Sequence, residues 1–501
     1  MSASRPGTPG IPGTPNTPGT RRGDRAEPLL PDGDRRLGGR SAWCAWAIGV
    51  TVYVLAVVHR TSLGVAGLDA AARFHIGASA LSTFSMLQVA VYAAMQIPTG
   101  LLVDRFGPRR ILSLGVVLLT AGQLGFAFST AFAPALVSRA VLGCGDAMTF
   151  VSVLRLGAQW FPARRSPLIS QLTALVGMGG NLVSTAVLSR VLGGAGWTAT
   201  FGTTGIAGLG VLALVALFLR DSPDHQRGRQ ARRAARTARV SRAAEALPSA
   251  GGASRVPVPA PAASRAAVFR QIRDAWTEPG TRLGMWVHFT AQFPGTTFLL
   301  LWGEPFLVDG EGLSTGAAGT LLSLVVVSNM ACGLLFGQLL SRRHSLRTPM
   351  VLTVVLGTGA LWAVVLTWPG THAPLWLLIV LCLWMGSNGS ASIAGFDYAR
   401  PVNPPARAGT ASGIVNMGGF IATMFCLFAI GLLLDAENPA HATHYPVHAF
   451  HVAFWALYVP MALGLSQILR LRGRAMRREA EFRIGHAVAV SIPAQRLPSE
   501  D

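Results

Sequence analysis

Arg60, its neighbour His59 and Asp146 are ionisable side chains that lie inside apolar stretches of this 501-residue chain. A charged side chain in a bilayer core is costly unless it faces a partner or a water-filled cavity. A guanidinium in such a place can hold a carboxylate through two parallel hydrogen bonds. We therefore interpret Arg60 as a binding residue for an anion. The alternatives are that Arg60 reaches the outer membrane interface or forms a fixed structural pair.

His59 and Asp146 are the groups here that can exchange a proton. Histidine changes charge near neutral pH, and a carboxyl group that is buried away from water favours its protonated form. Either residue could therefore carry a proton through a reaction cycle. The alternatives are that His59 is simply hydrogen-bonded in the core, and that Asp146 is paired with Arg139 or Arg155 of its own segment.

The composition indicates a membrane protein. Charged residues make up 13% of the chain, against about 25% in a soluble domain. Apolar stretches of roughly 20 residues, the length needed to cross a bilayer core, occur twelve times. The first six cover residues 42–66, 80–102, 111–129, 132–155, 167–191 and 199–219, and the second six cover 282–308, 316–340, 348–368, 373–397, 408–434 and 447–470. This pattern predicts an all-α polytopic membrane protein with twelve transmembrane helices in two six-helix halves.

The arginines indicate the topology. The net charge of +20 would suggest a nucleic-acid partner in a soluble protein, but here the arginines collect in alternate loops. They precede the first span and follow the second, fourth, sixth, eighth, tenth and twelfth, whereas Arg73 and Arg190 are exceptions on the other side. Cytoplasmic loops carry such an excess of basic residues. We therefore predict a multi-pass protein of the plasma (inner) membrane with both termini cytoplasmic, a lipid bilayer as its surroundings and no nucleic-acid partner.

The loop between the second and third spans reads Gly100-Leu-Leu-Val-Asp-Arg-Phe-Gly-Pro-Arg-Arg. It resembles the loop between helices 2 and 3 of the major facilitator superfamily, whose members are secondary transporters with two six-helix halves. The resemblance implies a gating loop in which an aspartate breaks and remakes its pairing as the halves rock. We assign Gly100, Asp104, Arg105, Gly107 and Arg109 to this loop and group Arg139 of the fourth span with them.

The first half also resembles a narrower family. His59-Arg-Thr-Ser-Leu-Gly-Val-Ala is similar to the Asp-Arg-x-x-Leu-x-x-Ala segment of the anion:cation symporter family, and Arg139-Ala-Val-Leu-Gly-Cys-Gly-Asp-Ala is similar to its Arg-x-x-x-Gly-x-Gly-Glu-Ala segment. The resemblance implies that Arg60 binds a substrate carboxylate and that His59 and Asp146 take part in proton coupling. The chain departs from this family in having His59 for Asp and Asp146 for Glu.

Several uncharged polar and aromatic residues in the spans complete the predicted substrate site, together with Arg60. They are Tyr53, Gln88, Tyr92, Trp302, Asn329 and Asn416. Glu304 lies near the outer end of the seventh span, and we interpret it as a solvated residue at the rim. Glycine-rich segments around Gly177 and Gly418 resemble helices 5 and 11 of nitrate and nitrite transporters. They could bend helices or approach a ligand, or could serve only for tight packing.

The remaining segments connect or flank the two halves. We expect a disordered tail over 1–41, halves over 42–219 and 282–470, a linker over 220–281 with an amphipathic helix at 268–276, and a tail over 471–501. The five cysteines fall within predicted spans, and no metal-ligand spacing or nucleotide-binding Gly-Lys-Ser/Thr motif occurs. We expect no cofactor, no metal site and no enzymatic activity.

These observations predict a secondary active transporter that couples protons to the movement of a small organic anion by alternating access. The first alternative is an exporter of drugs or other neutral or cationic solutes. Nitrate or nitrite transport is disfavoured because the arginines of spans two and eight that those transporters use are absent. A non-transporting membrane receptor is the third alternative.

Overall fold

The computed structural model describes residues 38–162, 165–220, 265–370, 372–438 and 445–491, all in helices and short connections. The first half contains six long helices: α1 (Arg40–Thr61), α2 (Ala78–Phe106), α3 (Pro108–Phe128), α4 (Phe132–Trp160), α5 (Ser166–Leu182, continued by Val183–Leu188 and Ser189–Ala195) and α6 (Trp197–Phe218). The second half contains α7 (Pro279–Thr297, continued by Phe298–Trp302, Gly303–Pro305 and Phe306–Gly310), α8 (Thr315–Arg342), α9 (Arg347–Leu366), α10 (Leu375–Ser392, then Ala394–Ala399), α11 (Pro405–Ala436) and α12 (Val447–Phe454, Trp455–Leu457 and Tyr458–Ser491). The predicted twelve-helix architecture is confirmed.

The seventh helix is less apolar than a membrane span usually is. Among the described residues, eleven helices are long and apolar enough to cross a membrane by length and composition, and α7 is not one of them. Its first part carries Arg282, His288 and Gln292 within 19 residues. Most of that part is buried by its neighbours, so these side chains meet protein rather than lipid.

The two halves contact each other near one side of the membrane. We call the side at which α1 begins the terminal face, and the other side the opposite face. Near the opposite face, Thr185 Oγ1 of α5 lies 2.9 Å from Ser323 Oγ of α8, and a Cβ at Gly431 of α11 would lie 2.8 Å from the carbonyl oxygen of Ala78. The halves are therefore closed at the opposite face.

A carboxylate of the second half caps a helix of the first half at this closure. Asp435, at the end of α11, accepts hydrogen bonds from the backbone N–H of Ala78 at 2.7 Å and of Ser79 at 2.9 Å. The Ser79 hydroxyl also donates to this carboxylate. Free N–H groups at a helix start attract an anion. The contact therefore joins α11 to the first turn of α2.

The last helix extends beyond its predicted end. α12 continues to Ser491, so the first part of the tail predicted from residue 471 is a continuation of this helix. Glu479 lies in this extension and accepts from Arg347 of α9 at 3.0 and 3.2 Å. The charged composition after residue 470 had indicated a tail, whereas these contacts with the second half support a helix.

The predicted amphipathic helix of the linker is present as Arg265–Thr277. Its Ala275 is buried beside Ala411 and Val415 of α11, while Phe269 and Trp276 are exposed. The helix is therefore in contact with the second half. The rest of the predicted linker, 221–264, and the predicted N-terminal tail up to residue 37 lie outside the described residues.

Candidate functional site

A cavity of about 210 Å³ lies between the halves, among α1, α2, α4 and α5 of the first and α7, α8, α10 and α11 of the second. It is lined by Tyr53, Val57, Arg60, Thr61, Gln88, Val89, Tyr92, Asp146, Gly177, Met178, Asn181, Gln292, Gly295, Thr296, Leu299, Leu300, Asn329, Gly389 and Phe420. The volume is below the roughly 300–1,000 Å³ of pockets that bind drug-sized ligands. This cavity therefore suits a small solute.

The charged centre of the cavity is an ion pair between Arg60 and Asp146. Arg60 donates from Nε to one carboxylate oxygen and from an Nη to the other, both at 2.6 Å. The Asp146 side chain is fully buried, whereas the Arg60 side chain is 20% exposed. Asp146 therefore pairs with Arg60 of α1. The guanidinium reaches the cavity with its bidentate edge occupied by an internal carboxylate.

Aromatic and amide side chains surround this pair. The Arg60 guanidinium lies 4.6 Å from the ring centroid of Tyr92, a cation–π contact that stabilises the positive charge. Gln88 is buried, and its Nε2 has no hydrogen-bond partner among the described residues. An unpaired buried amide is costly unless a ligand or water satisfies it. Gln88 is therefore a donor available to a bound solute.

The second half contributes uncharged polar groups to the cavity. Asn329 was predicted from the sequence, and it accepts from Ser390 of α10 at 2.9 Å. Gln292 and Thr296 of α7 were missed, although Gln292 lies in a predicted span as Gln88 does and the same criterion would have found it. Gln292 Nε2 donates to Thr296 Oγ1 at 3.0 Å. The charged groups of the lining belong to the first half.

His59 and Arg139 lie behind the cavity rather than in its wall. His59 is fully buried, with Nε2 3.3 Å from the carbonyl oxygen of Thr204 in α6. Its Nδ1 has no hydrogen-bond partner among the described residues. Arg139 is also fully buried and donates to the backbone carbonyls of His59 and Arg60 at 3.4 and 3.5 Å. Arg139 therefore supports the backbone that carries Arg60.

Two further predicted binding residues are not part of this lining. Trp302 is buried near the opposite face and donates from Nε1 to the carbonyl oxygen of Leu427 at 3.0 Å. Asn416 lies on α11 beside His288, which is buried and contacts the Ser392 carbonyl oxygen at 3.2 Å. The structure therefore brings together Arg60, Tyr53, Gln88, Tyr92 and Asn329 of the predicted set.

The predicted gating loop lies at the terminal face, between α2 and α3. Gly107 has a positive φ of 85° and ends α2, a conformation that favours glycine. Arg109 donates to the carbonyl oxygen of Ala216 in α6 at 2.8 Å, and Arg105 lies over the ring of Phe106. The side chain of Asp104 lies outside the described residues. Arg139 is remote from this loop, in the part of α4 towards the opposite face.

The glycine-rich segments bring helices close together. A Cβ at Gly177 would lie 2.1 Å from Tyr53 Cε1, and one at Gly180 would lie 2.8 Å from the Val54 carbonyl oxygen. On α11, a Cβ at Gly418 would lie 2.5 Å from the Met285 carbonyl oxygen. The absence of side chains at these glycines therefore lets α5 contact α1 and α11 contact α7, as tight packing requires. Gly177 also leaves room for the ring of Tyr53 at the cavity wall.

Comparisons with known proteins agree on one family. The model of the Major Facilitator Superfamily matches residues 49–479. A quinolone resistance transporter of Acinetobacter baumannii is 32% identical over 117 residues, 23% of this chain and 26% of that protein. A probable sulfoacetate transporter of Cupriavidus necator is 25% identical over 150 residues, 30% of this chain and 35% of that protein. The chain thus matches about a quarter to a third of the length of these relatives.

Solved structures show the same fold. A bacterial homologue of the human lysosomal transporter Spinster, in an inward-facing and unoccupied conformation, superimposes with a TM-score of 0.65 and 15% identity, covering 89% of this chain and 99% of that one. A D-xylose–proton symporter gives 0.59 and 17%, covering 84% and 96%. Because the family model spans nearly the whole described region, the chain belongs to the Major Facilitator Superfamily and is a multi-pass membrane protein.

Proposed function

We propose that the protein is a proton-coupled symporter of a small organic anion. The observation that carries this proposal is the bidentate Arg60–Asp146 pair in the cavity wall, where Arg60 is partly exposed. A guanidinium that holds one carboxylate in this geometry has the right shape to hold another. Asp146 and the substrate carboxylate are therefore competitors for the same donors.

The protonation state of Asp146 decides which of the two carboxylates binds Arg60. When Asp146 binds a proton, it loses the charge that Arg60 pairs with, and the guanidinium becomes available to an anionic substrate. When the proton leaves, the ionised Asp146 returns to Arg60 and displaces the substrate. Binding of proton and substrate is then cooperative, since each favours the state of Asp146 that the other requires. His59, buried behind the cavity wall, stays a second predicted proton-linked residue.

The rest of the cavity supports a small, partly polar anion. Gln88 and Asn329 supply hydrogen-bonding groups, Tyr53 and Tyr92 supply aromatic surface, and the volume is small. Sulfoacetate, named for one relative, is an organic anion, which agrees with this proposal. The second candidate function is export of a drug, which the similarity to a quinolone resistance transporter supports. The small volume of the cavity and the ion pair at its centre argue against this candidate.

The membrane and the orientation are part of the proposal. The arginine-rich loops, including those at Arg105 and Arg342, lie at the terminal face, which we assign to the cytoplasm of a cell with this protein in its plasma (inner) membrane. In that orientation the structure is closed towards the outside. Both termini would then be cytoplasmic.

The decisive experiment replaces Arg60 with Lys. This change keeps the positive charge but removes the two parallel N–H donors of the guanidinium. One charge-assisted hydrogen bond, worth about 1.5–3 kcal/mol, is therefore lost. The apparent affinity for an anionic substrate should fall roughly 10- to 100-fold in reconstituted vesicles. Arg190→Lys, at an exposed arginine near the opposite face, is the matched control and should transport normally.

The substrate for that assay comes from a thermal-stability screen of the purified protein against organic acids, nitrate and cationic dyes. A ligand that binds the folded state raises its melting temperature. Stabilisation by organic acids that Arg60→Lys abolishes supports the proposal. Stabilisation by dyes alone, or anion uptake that is unchanged in Arg60→Lys, contradicts it and favours the exporter.

A further inference from the structure

Glu304 is a buried carboxyl group that the proposed transport cycle does not use. It lies in α7, in the segment Gly303–Pro305, and only 5% of the residue is exposed. One of its oxygens, Oε2, has no hydrogen-bond partner among the described residues. The sequence had suggested a solvated residue at the rim, and the structure corrects this placement. The side chain is buried because the two halves meet over it.

The surroundings of Glu304 come from both halves. A Cβ at Gly67, the first residue of the short helix Gly67–Phe74, would lie 3.3 Å from Pro305 and 3.7 Å from Glu304 Oε2. The backbone amide of Leu68 faces the carboxyl group. Gly67 and Leu68 belong to the first half and Glu304 to the second. The closure at the opposite face therefore removes water from this carboxyl group.

The charged groups around Glu304 are acidic. Asp69 of the short helix and Asp309 of the Phe306–Gly310 segment interact with it as like charges. Arg73, on the same short helix, donates instead to the carbonyl oxygen of Ser129 and lies over Trp197. The residues of Ser62–Val65 and Phe298–Trp302, which also pack here, are uncharged, and the nearby part of α8 contributes Leu322. No cation of the described residues therefore offsets an ionised Glu304.

We propose that Glu304 is a proton-binding site of the gate at the opposite face, and that the gate closes only when this carboxyl group is protonated. The ionised form needs water, which closure excludes, and the acidic neighbours oppose it further. The single backbone N–H of Leu68, at the start of the short helix, does not replace the water that closure removes from an ionised Glu304. Opening returns Glu304 to water and releases the proton. Acid on that side therefore favours closure, and alkali favours opening.

This proposal rests on the alternating access of the proposed function but is independent of Arg60 and the substrate. Its test is the distance between spin labels at Thr130→Cys and Thr367→Cys, exposed positions of the two halves at the opposite face. The native cysteines are replaced by serine, and no substrate is added. To remove the titration of Asp146, the same pair is measured in an Asp146→Asn background.

In the Asp146→Asn background, the distance should shift from short to long as pH rises from about 5 to about 9, a range that spans the titration of a buried carboxyl group. Adding Glu304→Gln should keep it short at every pH, because the amide is always neutral. Glu304→Asp should still show the change in distance, but at a different midpoint pH. This variant replaces Glu304→Gln in the test if Glu304→Gln folds poorly. Asp69→Asn, an exposed acidic control beside the site, should still show the shift.

A shift that persists unchanged in Glu304→Gln, or a distance that does not respond to pH in any protein, overturns the proposal. The outcome is distinct from a failure of the proposed function. If Arg60→Lys leaves uptake intact while the Glu304-dependent shift is present, the anion site is wrong and the gate site stands. If uptake depends on Arg60 and the pH-dependent shift is absent, the anion site stands and the gate site is wrong.

Discussion

Asp146 holds the charge that competes with the substrate in the proposed cycle. Asp146→Asn leaves a neutral side chain of the same shape beside Arg60, as a protonated aspartate would. We expect accumulation driven by a pH gradient to be abolished, because the site no longer exchanges a proton. Exchange of labelled for unlabelled substrate should continue, since that process needs only a loaded carrier. Uptake into vesicles with and without a pH gradient measures both.

The matched variant is His59→Gln, at the other predicted proton-linked residue. Accumulation that fails only in Asp146→Asn restricts coupling to Asp146. Accumulation that persists in both variants removes both residues from the coupling mechanism. A loss in both would show that His59, whose Nδ1 has no partner among the described residues, takes part as well.

The sequence predicted individual residues of the site where a polar or charged side chain interrupts an apolar run. Arg60, Asp146 and Gln88 stand out in this way, and all three line the cavity. Their partners did not follow from the sequence, because Arg60 and Asp146 lie 86 positions apart and only the packing of α1 against α4 joins them. Trp302 was placed in the site because an aromatic near a span end looks the same whether it faces a cavity or the core.

At the scale of helices, α5 tests whether glycine spacing controls the cavity. A methyl group at Gly177 would meet the Tyr53 ring, whereas one at Gly179 would have no neighbour within 4 Å beyond its own helix and chain neighbours. We expect Gly177→Ala to cost about 1–3 kcal/mol through overpacking. It should lower the melting temperature and displace Tyr53 from the wall.

Gly179→Ala, two residues along the same helix, is the control. It should be neutral or slightly stabilising, because alanine favours a helix over glycine by about 1 kcal/mol. Thermal unfolding and substrate affinity, measured on both variants, check the prediction. Equal effects of the two substitutions would mean that helix propensity, and not the contact with α1, determines the result.

How well each helix could be predicted from the sequence depends on how apolar its residues are. Eleven helices of the described residues contain an apolar stretch long enough to cross a membrane, so hydropathy alone finds them. α7 can be more polar because protein surrounds it, and its prediction relied on the apolar stretch at 282–308. The arginines after residue 470 predict a tail, and the sequence did not show that its first part continues α12, where Glu479 is buried beside Arg347.

At the scale of the whole molecule, the topology can be tested with two exposed hydroxyl residues. Thr130 is exposed in the connection between α3 and α4, and Ser345 is exposed between α8 and α9, on opposite sides of the membrane. In a background without the native cysteines, Thr130→Cys should react with an impermeant maleimide added to intact cells. Ser345→Cys should react only after the cells are opened.

The reverse labelling pattern would invert the proposed orientation. Reaction at both positions in intact cells would point to leaky cells, which an impermeant dye checks independently. The fold itself does not depend on the result, because the family match and the helix arrangement are the same in either orientation.

The ion pair in the cavity has a consequence for the electrical behaviour of transport. Arg60 and an ionised Asp146 together have no net charge. A monovalent anion bound with one proton on Asp146 adds none, so the loaded and empty carriers respond alike to membrane voltage. A divalent anion with one proton would add a negative charge, which voltage opposes by about 2.3 kcal/mol per 100 mV if it crosses the whole field. The number of carboxylates on a substrate would thus decide whether the cell's membrane potential resists its entry.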